Sequence, residues 1–287
     1  MSFQFWYLFP AAVLIATFAM ASGIGGATFF APLFILGLGL PPDVAIGAGL
    51  ITETFGFASG FFAYARKRLI DYKLGFVLLS VTVPLALAGS WLAGYVEADL
   101  LKLILGFGLT ALAISFLRTP DPEDVQMMDT FIYSRYGGEQ AETELVTAQG
   151  ESIRYKVCNR LEGMIISGIG GLFEGLISSG LGEMNGFFLL QRCKVPSKVS
   201  VATSVFVVAV TALSAALGHL FRFVQAGPET ISTVLDLVIF TVPGVLIGAQ
   251  LGSLISSKIP QKMLVRMIGS LFLLVALITF ADVIVPR

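Results

Sequence analysis

Two short stretches of this chain hold residues that do not suit the middle of a membrane helix. The first is Ser22-Gly23-Ile24-Gly25-Gly26-Ala27-Thr28, and the second is Ser179-Gly180-Leu181-Gly182-Glu183-Met184-Asn185. Each glycine weakens a helix by about 1 kcal/mol relative to alanine, and a broken helix exposes backbone polar groups that lipid cannot satisfy. Such a break persists only where it is buried in protein or lines a cavity. At the point where a helix restarts, free N–H groups and the positive dipole end favour an anion. Thr28 and Asn185 are expected at equivalent restarts, where a side chain caps the helix or reaches a ligand. The substrate-binding set read this way is Gly23, Gly25, Gly26, Thr28, Gly180, Gly182 and Asn185. Thr203 and Ser204, on the next helix, are candidate further donors. A bond back to the preceding turn of their own helix accounts for that pair equally well.

Three carboxylates, Glu53, Glu174 and Glu183, fall deep in apolar stretches. Membrane carboxylates are costly and usually functional. Beside an anion, Glu183 would be protonated or would couple proton movement to transport. Glu53 is the second candidate for that proton. Glu174 ranks below it, because it sits on a stripe of small residues and can serve by bonding a neighbouring helix. That stripe, Gly163, Ser167, Gly171, Gly175 and Ser179, reads as a packing face, as do Gly56/Gly60 and Gly244/Gly248/Gly252. Asp236, Arg222 and Arg266 are expected to reach the membrane interface, and His219 to lie there.

The elements that position these residues are membrane helices. The chain is 56% hydrophobic and 13% charged, with mean hydropathy +0.87, whereas soluble domains carry roughly 25% charged residues. Near-continuous apolar runs exclude the alternating strands of a membrane barrel. They cover approximately 5–21, 27–40, 43–65, 72–96 and 99–117, then 161–181, 184–192, 198–219, 232–256 and 260–283. Ala19-Met20-Ala21 resembles a signal-peptidase site, but no Lys or Arg precedes it, so the segment reads as a mature helix. No Walker A, HExxH or GxSxG motif occurs, and a single histidine excludes a His-rich metal site. An enzyme, a cofactor and a nucleic-acid partner are not expected.

The two halves match beyond their glycine breaks. Pro41 and Pro196 each open the turn before a long helix, and Val44-Ala45-Ile46-Gly47 faces Val199-Ser200-Val201-Ala202. Thr82-Val83-Pro84 recurs as Thr241-Val242-Pro243, and Gly89 as Gly248. Four sites in one order indicate an internal duplication. The predicted fold is an all-α polytopic membrane protein of two inverted repeats, each a glycine-broken hairpin followed by three transmembrane helices. Repeat one covers 1–117 and repeat two 159–287. Treating each break as a hairpin tip places 14 of the 18 Lys and Arg residues on the cytoplasmic side, as the positive-inside rule requires. The 40–43 turn then faces outside and the 193–197 turn inside.

Segment 118–158 is polar, and its Glu144–Ala148 and Ser152–Val157 stretches alternate around Gln149-Gly150-Glu151, the pattern of a β-hairpin. It reads as a solvated cytoplasmic decoration. Cys158 and Cys193 are too few for a disulfide scaffold and read as inert thiols.

The break Gly23-x-Gly25-Gly26 followed by Pro32, the Pro41-x-x-Val44-Ala45 turn, the basic Arg66-Lys67-Arg68 loop and the degenerate second copy resemble the TauE/SafE family. The resemblance spans the chain except 118–158. It implies a secondary transporter of small sulfur-containing anions, sulfite or organosulfonates, or of related carboxylates, in the bacterial or archaeal inner membrane. Its partners would be the anion, protons and the bilayer, and a homodimer is compatible with it. Ala27 replaces a glycine often seen in that family, and Glu183 faces Gly26.

Overall fold

The computed structural model describes residues 3–22, 27–118, 127, 130–131, 143–156, 159–255 and 261–284. The chain is mostly helical, in the order expected from the apolar runs. The first half comprises α1 (Leu8–Ser22), α2 (Ala27–Pro32), α3 (Pro42–Arg66), α4 (Tyr72–Leu92) and α5 (Ala98–Leu117). The second comprises α6 (Arg160–Ile177), α7 (Leu181–Gly186), α8 (Ser197–Ala226), α9 (Pro228–Ile255) and α10 (Gln261–Ile284). Between the halves lie β1 (Thr143–Val146) and β2 (Ser152–Tyr155). Among the described residues, five helices, α3, α4, α5, α8 and α9, are long and apolar enough to cross a membrane.

Local chemistry sets the helix ends. Asp71 caps α4, its Oδ1 accepting the Leu74 N–H at 3.0 Å, and Asn159 caps α6 through the Leu161 N–H. Proline stands at the start of α3, where its missing N–H costs nothing. Pro84 and Pro243 lie inside α4 and α9 at matched places. The short helices share a second feature: α2 continues as a π-helical segment over Leu33–Gly37, and α7 does so over Phe187–Arg192.

Packing crosses between the halves. α1 lies against α9 and α6 against α4, so the first helix of each half packs on the fourth helix of the other. α3 packs on α8 and α5 on α10. Both pairs run antiparallel. Asp43 at the start of α3 meets Arg222 near the end of α8 at 3.6 Å, and Lys102 near the start of α5 meets Asp282 near the end of α10 at 2.8 Å. Arg222 is thus paired within the protein, and it also donates to Ser90 O at 3.3 Å.

The small-residue stripes are packing faces, as read from sequence. A Cβ at Gly171 would sit 2.7 Å from Thr82 O and 2.8 Å from Thr82 Cα, so the α6 and α4 backbones nearly touch. Gly244 plays the same part for α9, 2.8 Å from Phe9 O of α1 by that measure. Two threonine pairs tie the halves at these contacts: Thr52 with Thr241, and Thr82 with Thr211, each 2.8 Å apart. Thr82 and Thr241 are matched positions, but Thr52 and Thr211 are one turn out of register.

The β-hairpin forms as predicted, with Leu145 opposite Ile153 and Gly150 turning at φ +82°. It is not merely solvated. Ile153 and Tyr155 are fully buried in a cluster with Ile70, Leu74 and Val195. The Tyr155 hydroxyl donates to Asp71 Oδ2 at 2.8 Å, and the Ala148 N–H donates to Lys67 O at 3.0 Å. Burial, and then the Asp71 carboxylate, hold the Tyr155 phenol above its ordinary range. Cys193 also departs from expectation: it is disulfide-bonded.

Candidate functional site

The second break is narrower than its glycines imply. α6 ends at Ile177, and Ser178 turns in the left-handed region at φ +55° with its N–H on Glu174 O at 2.9 Å. Gly180 follows at φ +110°, a conformation that costs glycine little, and the helix resumes at Leu181. Gly182 therefore lies inside the restarted helix rather than in the break. Asn185 is not at the restart either but in the next turn. Gly23, Gly25 and Gly26 lie outside the described residues. Thr28 stands in the first turn of α2, as expected.

The two breaks meet. Thr28 Oγ1 and Ser179 Oγ are 3.4 Å apart, both buried, across 151 positions of sequence. Ser179 opens the second motif, and its alignment with Ser22 is the signal for it in the sequence. Asn185 is fully buried, and among the described residues neither of its amide atoms has a hydrogen-bond partner. The Ser178 hydroxyl is in the same state. A buried unpaired polar group costs about 1–3 kcal/mol, so each of these calls for a reason in the fold.

The three carboxylates converge here. Glu174 and Glu53 are 2% and 6% exposed, and the Glu174 carboxyl lies close enough to interact with Glu53 and with the backbone of Leu181. Glu183 faces it from α7. Glu183 also reaches back to the backbone of Gly180, three residues before it, which is one half of a capping box; the glycine at the N-cap has no side chain to supply the other. One restarted helix thus already has a carboxylate at its N-terminus. Glu174, ranked below Glu53 from sequence, is as central as Glu53.

The remaining candidates divide. Ser204 Oγ lies 3.5 Å from Gly182 O and so borders the restarted helix. Thr203 does not join it. Its Oγ1 accepts the Asp71 N–H at 3.0 Å, holding the α3–α4 loop against α8. His219 is not interfacial but fully buried, its Nε2–H donating to Gly175 O at 2.9 Å between α8 and α6.

Comparison with known proteins agrees with this architecture. Residues 8–279 match the family model described as sulfite exporter TauE/SafE. A Bacillus subtilis protein named "Probable membrane transporter protein YunE" is 22% identical over 270 residues, 92% of each chain. Another from that organism, "Probable membrane transporter protein YjnA", is 26% identical over 258 residues, 83% of this chain and 86% of the relative. A Sinorhizobium protein, "Probable membrane transporter protein ORF9", is 33% identical over 119 residues, 42% of this chain and 45% of its own. No solved structure matches. With five spanning-length helices and a family match across nearly its whole length, the chain is a multi-pass membrane transporter of the sulfite exporter TauE/SafE family.

Proposed function

We propose that this transporter exports small sulfur-containing anions, sulfite or organosulfonates, across the bacterial or archaeal plasma membrane, binding them where its two glycine breaks meet. The observation that carries the reading is the Thr28–Ser179 contact, which joins the two restarted helices at one buried point. Duplicated helix breaks at a repeat interface are where secondary transporters hold substrate. No Lys or Arg occurs in α2 or α7, so hydroxyls, amides and helix dipoles hold the anion without a countercharge. The repeats are inverted in the membrane on this reading. Its support is the antiparallel run of α3 with α8 and α5 with α10, together with the basic-residue asymmetry.

Glu183 complicates the site in a useful way. An anion entering at Leu181 meets a carboxylate already turned toward Gly180, so substrate and a proton on Glu183 arrive together or not at all. Glu53 and Glu174 are the other carriers of that proton. Export needs no coupling where the interior is negative, since each charge crossing gains about 2.3 kcal/mol per 100 mV. The test is a thermal-shift screen of small anions against purified protein. Stabilisation by sulfite or methanesulfonate, lost in Ser179→Ala, supports the reading; stabilisation by small carboxylates alone moves the substrate to that class, and none by any oxyanion ends it.

A further inference from the structure

A pocket of about 520 Å³ lies where the β-hairpin meets the end of α3 and the start of α8. It is lined by Lys67 just past α3, by Lys198 in the first turn of α8, and by Thr147, Gln149 and Glu151 around the hairpin turn. Lys67 belongs to the first half of the chain and Lys198 to the second, so three separate stretches come together to form it. The hairpin is fastened at this point. The Ala148 N–H donates to Lys67 O at 3.0 Å, and the buried Thr147 accepts the Glu151 N–H through Oγ1 at 3.2 Å. Among the described residues neither lysine has an ion-pair partner. At the start of α8 the Val199 and Ser200 N–H groups are already taken by Pro196 O. The attraction in the pocket is therefore that of two ammonium groups set against the single Glu151 carboxylate.

The pocket leads toward the joined breaks. Val201 lines it, and Ser204 and Val208 continue the same face of α8 at spacings of three and four residues. Ser204 Oγ lies 3.5 Å from Gly182 O, and Val208 Cγ2 is 3.9 Å from where a Cβ of Gly182 would stand. Val201 is 43% exposed and Ser204 8%, so α8 passes from open pocket to closed interior over a rise of about 5 Å. A cation in the pocket would meet two like charges, and an apolar ligand would leave both ammonium groups unpaired. An anion meets both, and it stays partly hydrated because the lysines are exposed. We infer that this pocket is a loading site for small oxyanions, which collects them before they pass along α8 to the breaks. This rests on the anion-export reading, which turns this face to the cytoplasm. It also gives the β-hairpin a task, since its turn closes one wall of the site.

The test is the initial rate of radiolabelled sulfite uptake into inside-out membrane vesicles carrying the full-length protein. Combining Lys67→Gln with Lys198→Gln should raise KM about fivefold, and Glu151→Gln should lower it about twofold, the range for exposed charges. Both changes should fall on KM rather than Vmax and shrink at high salt. The gain in Glu151→Gln is the decisive arm, because a hairpin that only packs gives none. A KM unmoved by these variants overturns the loading site and leaves the site at the breaks standing. A lowered Vmax at constant KM makes the lysines structural and also overturns it. The same variants in proteoliposomes of pure phosphatidylcholine should behave alike; effects that appear only when phosphatidylglycerol is present assign the lysines to a lipid phosphate and overturn the inference. No sulfite uptake by the unaltered protein overturns the export reading and the loading site together.

Discussion

Asn185 separates a prepared ligand site from ordinary packing. Buried amides are normally satisfied, yet this one has no partner among the described residues. Asn185→Leu keeps the volume and removes the penalty, so thermal stability should hold or rise by about 1–3 kcal/mol while anion affinity falls at least tenfold. Denaturation and binding measured on one preparation check both; a destabilised variant would make Asn185 structural. The carboxylates call for a matched set. Glu183→Gln should bind anion and show a flattened pH dependence between mildly acidic and neutral pH, because titration is removed and hydrogen bonding kept. If Glu53→Gln or Glu174→Gln flattens the profile instead, the proton belongs to that residue, and if none does, Glu183 only caps α7. Residue types were legible from the chain, but partners were not. Thr203 and Ser204 are adjacent on one helix, and only the fold shows that one faces the α3–α4 loop and the other the break.

Among the elements, glycines that look alike in sequence do different work. Gly171 abuts the Thr82 backbone, and overpacking there should cost about 1–3 kcal/mol in Gly171→Leu, read as a lowered melting temperature. Around Gly182 the nearest atom to an added Cβ is Val208 Cγ2 at 3.9 Å, so Gly182→Leu should insert and fold yet lose substrate. Equal loss of fold in both would reduce the second break to a packing feature. The helix order was readable because apolar length and proline punctuation suffice to define it. The end of the break was not, since the turn is made by left-handed Ser178 as well as Gly180, and serine carries no such signal.

The β-hairpin was readable from its alternation, whereas its docking through Tyr155 depends on a residue 84 positions away. Tyr155→Phe should cost about 1.5–3 kcal/mol, the range for a hydrogen bond to a charged group, measured by denaturation. On the exposed strand face, Ser152 and then Arg154 hold the Glu144 carboxyl below its ordinary value of 4.5. That support is complete above the ordinary value and is lost as pH falls through the lower folded one. Hydrogen-exchange protection of the hairpin should therefore drop on acidification below about pH 4, and Glu144→Gln should abolish the change.

At the scale of the whole molecule, orientation rests on charge and the antiparallel packing of matched helices. On a background lacking both cysteines, a Cys at Leu40 should react with a membrane-impermeant reagent from outside and a Cys at Lys198 should not. Equal reaction would discard the inverted arrangement. The repeat reading rests on prolines and threonines that recur in order; the crossing of α1 onto α9 and α6 onto α4 was not legible, because interleaved and separate halves bury the same faces. The most direct measurement is counterflow in proteoliposomes, with unlabelled sulfite inside and radiolabelled sulfite outside. Alternating access at the joined breaks predicts a transient overshoot of label, lost when Thr28→Val and Ser179→Ala are combined. Monotonic equilibration without overshoot would make the protein a pore, and an overshoot untouched by the double substitution would place the site elsewhere.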